Sequence, residues 1–169
     1  MKTLLHICCA PCSLMCIESL RKEGREVSGF WYNPNIHPFT EYRSRRETLK
    51  TYAAEIGMPL FLRDEYGLRH FLSSVYPAME NRCATCYSLR LFASAAFAKE
   101  NGFDSFTTSL LISPYQNFEQ ILQTGRLAGD QYGVRFLERD FRPLFREGQQ
   151  RAREKGFYMQ KYCGCIFSE

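Results

Sequence analysis

Residues 3–9 form a nearly continuous apolar run, the pattern of a strand buried on both faces of a parallel sheet. Ser13 then stands where a helix N-cap is expected, and Met15, Cys16, Ile17 and Leu20 form one apolar stripe that ends at Gly24. A strand followed by a helix over 13–23 is therefore predicted. The alternation continues, with strands over 27–32, 60–62, 105–111 and 134–137 and helices over 41–56, 68–75, 85–100 and 117–128. A last, basic helix covers 144–155. Such alternation predicts an α/β fold: a Rossmann-like, doubly wound, mainly parallel sheet with helices on both faces and right-handed crossovers. Ligands in these sheets bind beyond the carboxyl ends of the strands. The 169 residues suit one catalytic domain over 1–169, and no internal repeat or low-complexity linker divides them.

With 45% apolar and 24% charged residues the chain is a folded globular domain, which excludes disorder, collagen-like repeats and coiled coil. Eight cysteines are too few for a small disulfide scaffold and too many for incidental core thiols. The net charge is +4, with 16 Arg against 6 Lys, and arginine is the side chain that grips phosphate bidentately and stacks on bases. An RNA partner fits this balance, and so does an ordinary solvated salt-bridge surface. Residues 1–12 begin like a signal peptide, but His6 and Pro11 interrupt the apolar segment. No stretch approaches a membrane span. A cytoplasmic location is expected, where clustered cysteines serve as metal ligands or redox groups.

The loop at Ala10, Pro11, Cys12 and Ser13 follows the first strand, where nucleotide-binding folds carry a glycine-rich phosphate cradle. It has no glycine, and Pro11 lacks an amide hydrogen, so thiols replace the cradle. The cysteines fall into three groups: Cys8, Cys9, Cys12 and Cys16; Cys83 and Cys86; Cys163 and Cys165. A Cys-x-x-Cys at a helix entry converges two thiolates on one metal. Joined by a pair at the sheet's ligand edge, it completes a structural zinc site or an iron-sulfur cluster. Cys16 shares helical register with Leu20 and reads as a core residue, whereas Cys12 at the loop mouth reads equally well either way. His6 reads as a satisfied core histidine, and His37 and His70 show no ligand spacing. In Cys163-Gly164-Cys165, side chains at i and i+2 point to the same side of an extended chain, and Gly164 lets the sulfurs meet or share a metal. A disulfide there is easily reduced, which suits a redox couple. The rival is a four-Cys zinc site built from Cys83, Cys86, Cys163 and Cys165, which leaves Cys8 and Cys9 unexplained.

The chain resembles the QueH-type epoxyqueuosine reductases over nearly its whole length. The resemblance is carried by His6-x-Cys8-Cys9-Ala10-Pro11-Cys12, Tyr32-Asn33-Pro34-Asn35-Ile36, Glu41-Tyr42, Arg82-Cys83-x-x-Cys86-Tyr87, Ser113-Pro114, Tyr132-Gly133, Asp140-Phe141-Arg142 and Gln160-Lys161-Tyr162-Cys163-Gly164-Cys165. The family usually has Tyr-Arg-Gln where this chain has Tyr158-Met159-Gln160. The resemblance implies a HUP-like fold and a cytoplasmic enzyme that reduces epoxyqueuosine to queuosine at the tRNA wobble position. It further implies a 4Fe-4S cluster on Cys8, Cys9, Cys83 and Cys86, with Cys163 and Cys165 as a redox-active pair, and an electron donor as a second partner besides tRNA.

Epoxide removal needs two electrons, which the Cys163/Cys165 dithiol, or an additional iron held by that pair and acting as a Lewis acid, couples to C–O cleavage. Arg142, Arg146 and Arg153 fall on one predicted helix face and are candidates for tRNA phosphates, with Tyr87 or Tyr162 as a stacking surface for the modified base. The same arginines also suit a solvated face paired with Glu138, Glu147 and Glu154. Two other functions fit the residues: a structural four-Cys zinc protein that binds RNA, and a cluster-dependent tRNA thiolation enzyme, which needs a nucleotide loop.

Overall fold

A computed structural model describes residues 1–168. Five strands form one sheet: β1 (Lys2–His6), β2 (Glu26–Trp31), β3 (Leu60–Leu62), β4 (Ser105–Thr108) and β5 (Arg135–Phe136). Their order is β3-β2-β1-β4-β5, and every neighbouring pair is parallel. Six helices connect and cover them: α1 (Ala10–Lys22), α2 (Phe39–Glu55), α3 (Leu68–Val75), α4 (Arg82–Glu100), α5 (Phe118–Tyr132) and α6 (Phe145–Glu154). The order reverses at β1, because the chain builds outward to β3 and then returns to add β4 on the other side. Right-handed crossovers therefore set α1 and α2 on one face and α4 and α5 on the other. Contacts of α1 with β2, α2 and α6, and of α4 with β1, β4 and α5, agree with this. The fold is the doubly wound α/β sheet that the alternation predicts.

β1 is the centre of the core: Thr3, Leu4, Leu5 and His6 are fully buried, and each leucine contributes about 1.5–3 kcal/mol by leaving water. His6 stays in this strand by satisfying both ring nitrogens, with Nε2 3.1 Å from the Tyr32 carbonyl and Nδ1 3.0 Å from the Thr108 hydroxyl. The carbonyl can only accept, so Nε2 carries the hydrogen and Nδ1 accepts. Burial pushes its pKa down to about 4, which keeps the ring neutral, as a core histidine.

Several boundaries differ from the sequence expectation, and each difference bears on the site. β1 ends at His6 rather than at residue 9, so Cys8 and Cys9 leave the ladder. α1 begins at Ala10 with Cys9, not Ser13, at the N-cap, and Pro11 lies in its first turn, where its fixed φ is pre-organised for a helix. Ser13 instead donates back to the Ala10 carbonyl at 2.9 Å. α4 begins three residues earlier than expected, which takes Cys83 and Cys86 into its first turns. β4 stops at Thr108 and passes into a 3-10 turn over Ser109–Ile112. Arg142 lies in a separate 3-10 turn before α6, so Arg142 and Arg146 do not share one helix.

Candidate active site

The strand reversal places the carboxyl ends of β1 and β4 side by side, and the first thiols sit there. The Cys8 amide donates to the Ser109 hydroxyl at 3.2 Å, and the Cys8 sulfur lies 3.4 Å from the same oxygen. The sulfurs of Cys8, Cys9 and Cys12 all lie within 4.8 Å of one another. Cys9 and Cys12 occupy the N-terminus of α1, where the helix dipole favours negative charge. Hydrogen bonds from the Cys12 thiol, then from Cys9, hold Cys8 well below the ordinary thiol range, and the Ser109 hydroxyl adds to this. The same bond to Cys8 pushes Cys12 up, and burial pushes Cys9 up. Of the three, Cys8 is the one whose thiolate form these contacts favour. Cys12, open to either reading in the sequence, belongs to this knot, whereas Cys16 is fully buried and bonded to the Cys12 carbonyl at 3.3 Å.

The second thiol group faces the knot across a narrow cavity of about 60 Å³, whose walls include Cys8, Cys12, Cys83, Cys86, Cys163 and Cys165. Cys9 belongs to the knot but does not line this cavity. Cys86 and Cys165 pack together with Phe71 and Val75. All eight cysteines are free thiols. Cys165 is buried and Cys163 exposed, with its sulfur 2.8 Å from the Ser168 hydroxyl, yet both border the cavity.

Two buried arginines organise this arrangement: Arg90, which the sequence does not mark, and Arg45, whose basic stretch with Arg43 and Arg46 suggests an RNA surface but which is buried. Arg90 is 3% exposed and donates from Nη2 to the Cys86 sulfur at 3.2 Å and from Nε to the Cys86 carbonyl at 3.2 Å. Among the described residues no carboxylate pairs with it, although a buried guanidinium requires a counter-charge. Burial pushes Cys86 up to about 11 while Arg90 pulls it down. Sulfur donors beside an otherwise unbalanced cation fit an anionic metal–thiolate centre, an iron-sulfur cluster among them.

Arg45 is the second. It is 1% exposed and forms a 2.8 Å ion pair with buried Glu41. Its other nitrogens donate to the Cys163 carbonyl at 3.0 Å and the Tyr162 carbonyl at 2.8 Å. The His37 amide donates to the Gly164 carbonyl at 2.8 Å, and the Tyr162 and Tyr158 hydroxyls donate to the His37 carbonyl and to Glu41. These bonds moor the tail, and with it Cys163 and Cys165, against α2. Gly164 has φ +112°, and an added Cβ would stand 3.1 Å from both Arg45 and Ile36. Gly164→Ala is therefore expected to release the tail, seen as faster proteolysis around 158–165, while the far-ultraviolet circular dichroism stays native.

The candidate RNA residues are placed unevenly. Arg142 is exposed, pairs with Asp140 at 2.8 Å and covers the Phe118 ring at 3.9 Å. Arg146 is also exposed. Neither borders the thiol cavity, and α6 presents Phe145 and Gln149 to an adjoining cavity. Of the acidic partners expected for this face, Glu138 pairs with Arg126, Glu147 with Arg151, and Glu154 accepts from Gln150, while Arg142 pairs with Asp140 instead. Tyr87 is 3% exposed, its hydroxyl donating to Gln116 at 2.6 Å and accepting from the Asn117 amide at 3.1 Å, so its ring is a wall of the cavity and not an open platform. Tyr162 is half-buried under the Arg45 guanidinium. No helix among the described residues is long and apolar enough to cross a membrane.

Comparison with known proteins identifies the family. A family model described as epoxyqueuosine reductase QueH matches residues 3–169. The chain is 36% identical to the epoxyqueuosine reductase QueH of Dehalococcoides mccartyi, over 99% of its own length and 92% of the relative's. It is 35% identical to that of Thermotoga maritima over 98% and 88%, and 37% identical to that of Acinetobacter baylyi over 99% and 80%. A solved structure, a predicted subunit of tRNA methyltransferase from Methanocaldococcus jannaschii, superposes with TM-score 0.54 at 12% identity, covering 93% of this chain and 89% of that one. That likeness concerns the fold alone. With sequence match, α/β sheet and thiol-lined switch point in agreement, the chain belongs to the epoxyqueuosine reductase QueH family of oxidoreductases.

Proposed function

We propose that this protein removes the epoxide oxygen of epoxyqueuosine at the wobble position of tRNA, in the cytoplasm, giving queuosine. The observation that carries the reading is the meeting of six thiols and the buried, uncompensated Arg90 guanidinium on a single cavity at the strand switch point. Cys8 and Cys9 from the first knot, with Cys83 and Cys86 opposite, would hold a 4Fe-4S cluster. Such a cluster supplies low-potential electrons one at a time. Cys12 is the alternative to Cys9, because it borders the cavity and Cys9 does not.

The reaction converts an epoxide to an alkene, taking two electrons and two protons and releasing water. Oxidation of the Cys163/Cys165 dithiol to a disulfide yields two electrons and two protons, which balances it, and an electron donor then restores the dithiol. Arg45 positions this pair through the Tyr162 and Cys163 carbonyls. Arg90 holds positive charge at Cys86, where thiolate character is needed. An additional iron held by Cys163 and Cys165 is the other form of this reading, and metal analysis separates them: more than four irons per chain favours the iron, and loss of two titratable thiols on oxidation favours the dithiol. The loaded wild-type protein, supplied anaerobically with reductant and epoxyqueuosine-containing tRNA, should produce queuosine; its failure to do so, at full cluster occupancy, would sink the proposal. Cys163→Ser and Cys165→Ser should each abolish turnover and keep the cluster absorbance, and wild-type rates in both would remove the pair from the mechanism.

The tRNA phosphates are assigned to Arg142 and Arg146, which reach solvent beside the cavity-facing side of α6. Charge reversal of both together should weaken tRNA binding and flatten its dependence on salt, with cluster content unchanged. An unaltered salt slope would return these residues to a solvated face.

A further inference from the structure

The thiol cavity opens into a second one that nothing above assigns. Its volume is about 330 Å³, and it shares Cys12, Ser113, Gln116, Gln160 and Cys163 with the first. Small-molecule sites span about 300–1,000 Å³, so the second cavity can seat a flat heterocycle and the 60 Å³ thiol chamber cannot. Its chemistry also differs. Thiols give way to carboxamides, Gln116, Gln149 and Gln160, with Tyr115 and Phe145 as apolar walls.

Two of these amides are held in a defined state. The Gln160 side-chain carbonyl is buried and has no hydrogen-bond partner, while its NH2 lies 3.9 Å from the Cys12 sulfur. Gln116 has its carbonyl occupied by the Tyr87 hydroxyl at 2.6 Å, which leaves its NH2 as the group to offer. One unsatisfied acceptor and one available donor therefore flank the passage between the cavities. Buried polar groups are rarely left unpaired, so the pair calls for a ligand that brings an N–H and a C=O together. The lactam edge of a guanine-type base does so, presenting N1–H beside O6. Tyr115 is 85% exposed and meets the Phe145 ring edge-on, with centroids 5.9 Å apart. That is an aromatic face braced from one side and open on the other, as base stacking requires.

We infer that this second cavity seats the deazapurine base itself, extruded from the anticodon loop, with Tyr115 as its stacking platform and Gln160 and Gln116 reading its lactam edge. The inference rests on the epoxyqueuosine reading. It gives the substrate a direction: the base stays among the amides, and the epoxide it carries points toward Cys12 and Cys163 at the junction with the thiol chamber. It also replaces Tyr87 as the stacking residue, since that ring is closed off. Enzymes that work on a base in this way take it out of its stack and read its edge in a pocket.

The test uses the full chain and two anticodon stem-loop RNAs, one bearing epoxyqueuosine at the wobble position and one abasic there, with binding followed by fluorescence anisotropy. The wild type should prefer the base-bearing loop. Gln160→Leu should lose about tenfold in affinity for that loop and nothing for the abasic one, the effect of one hydrogen bond left unmade. Tyr115→Ala should lose at least about tenfold with the same selectivity, and Tyr115→Phe should restore it. Tyr115 is so exposed that its variants do not endanger folding, so they decide the matter if Gln160→Leu does not fold. Equal losses on both loops, no loss on either, or a wild type indifferent to the base would each overturn the inference. Absence of epoxide reduction by the loaded wild type refutes the reaction instead, so the two failures are distinguishable.

Discussion

Cys8→Ala and Cys86→Ala are each expected to yield a protein without bound iron or acid-labile sulfide, colourless where the wild type is brown. The effect is large because each change removes a donor from a different side of the cavity. Cys8 is the member of the first knot whose thiolate is favoured, and Cys86 is the sulfur that Arg90 addresses. A cluster on Cys8, Cys9, Cys83 and Cys86 would also tie the start and middle of the chain together, and metal binding is linked to folding, so both variants should melt at lower temperature than the loaded wild type. Cys16→Ala is the control: its sulfur is buried against the Cys12 carbonyl and its loss should leave iron content unchanged. The pair Cys9→Ala and Cys12→Ala then resolves the fourth donor. Loss of iron in the first and its retention in the second is the expected result; the reverse would transfer the ligand role to Cys12. Full iron occupancy in Cys86→Ala would dismiss the second thiol group as ligands.

Arg45→Met should produce the largest loss of stability of any change away from the cysteines, about 3–5 kcal/mol. Glu41 would remain buried with its charge uncompensated, and the Tyr162 and Cys163 carbonyls would lose their donor. For a chain of this size that corresponds to a fall in Tm of roughly 10 °C. The double variant Glu41→Met/Arg45→Met should recover more than half of it, because removing both charges leaves none stranded. Thermal unfolding of the metal-free proteins measures both, and a double variant no better than the single would show that the carbonyl bonds, not the ion pair, dominate.

The strand-helix alternation and the position of the first thiols were legible because both rest on local patterns, an apolar run for β1 and a periodic stripe for α1. The displaced N-cap is a competition between two local signals: the capping propensity of Ser13 lost to Pro11, whose fixed φ starts the helix earlier. Ahead of the basic helix, Pro143 lies in the first turn of a separate 3-10 segment with Arg142, where its fixed φ suits a helical start. Arg45 and Arg90 were not legible, since an arginine within a helix ordinarily faces water. What buries Arg45 is a pair of carbonyls 117 and 118 residues away, a contact that no window of sequence contains. The exposed Cys163 beside the buried Cys165 was missed for the same reason: the left-handed turn at Gly164 is stabilised by the surface it docks on.

The mooring of the tail carries a consequence for biosynthesis. Residues 8–12, 83–86 and 163–165 supply the thiols, so a nascent chain on the ribosome holds the first two groups long before the third exists. The wall formed by Cys163 and Cys165 is added last, when Gly164 reaches His37 and Arg45 closes over the preceding carbonyls. Until then the chamber lacks that wall, and Cys8 and Cys86 are enclosed only by the earlier parts of the chain. The hydrogen bonds that hold Cys163 and Cys165 in place are thus also the ones that complete the chamber, and they form only after the rest of the chain has been synthesised.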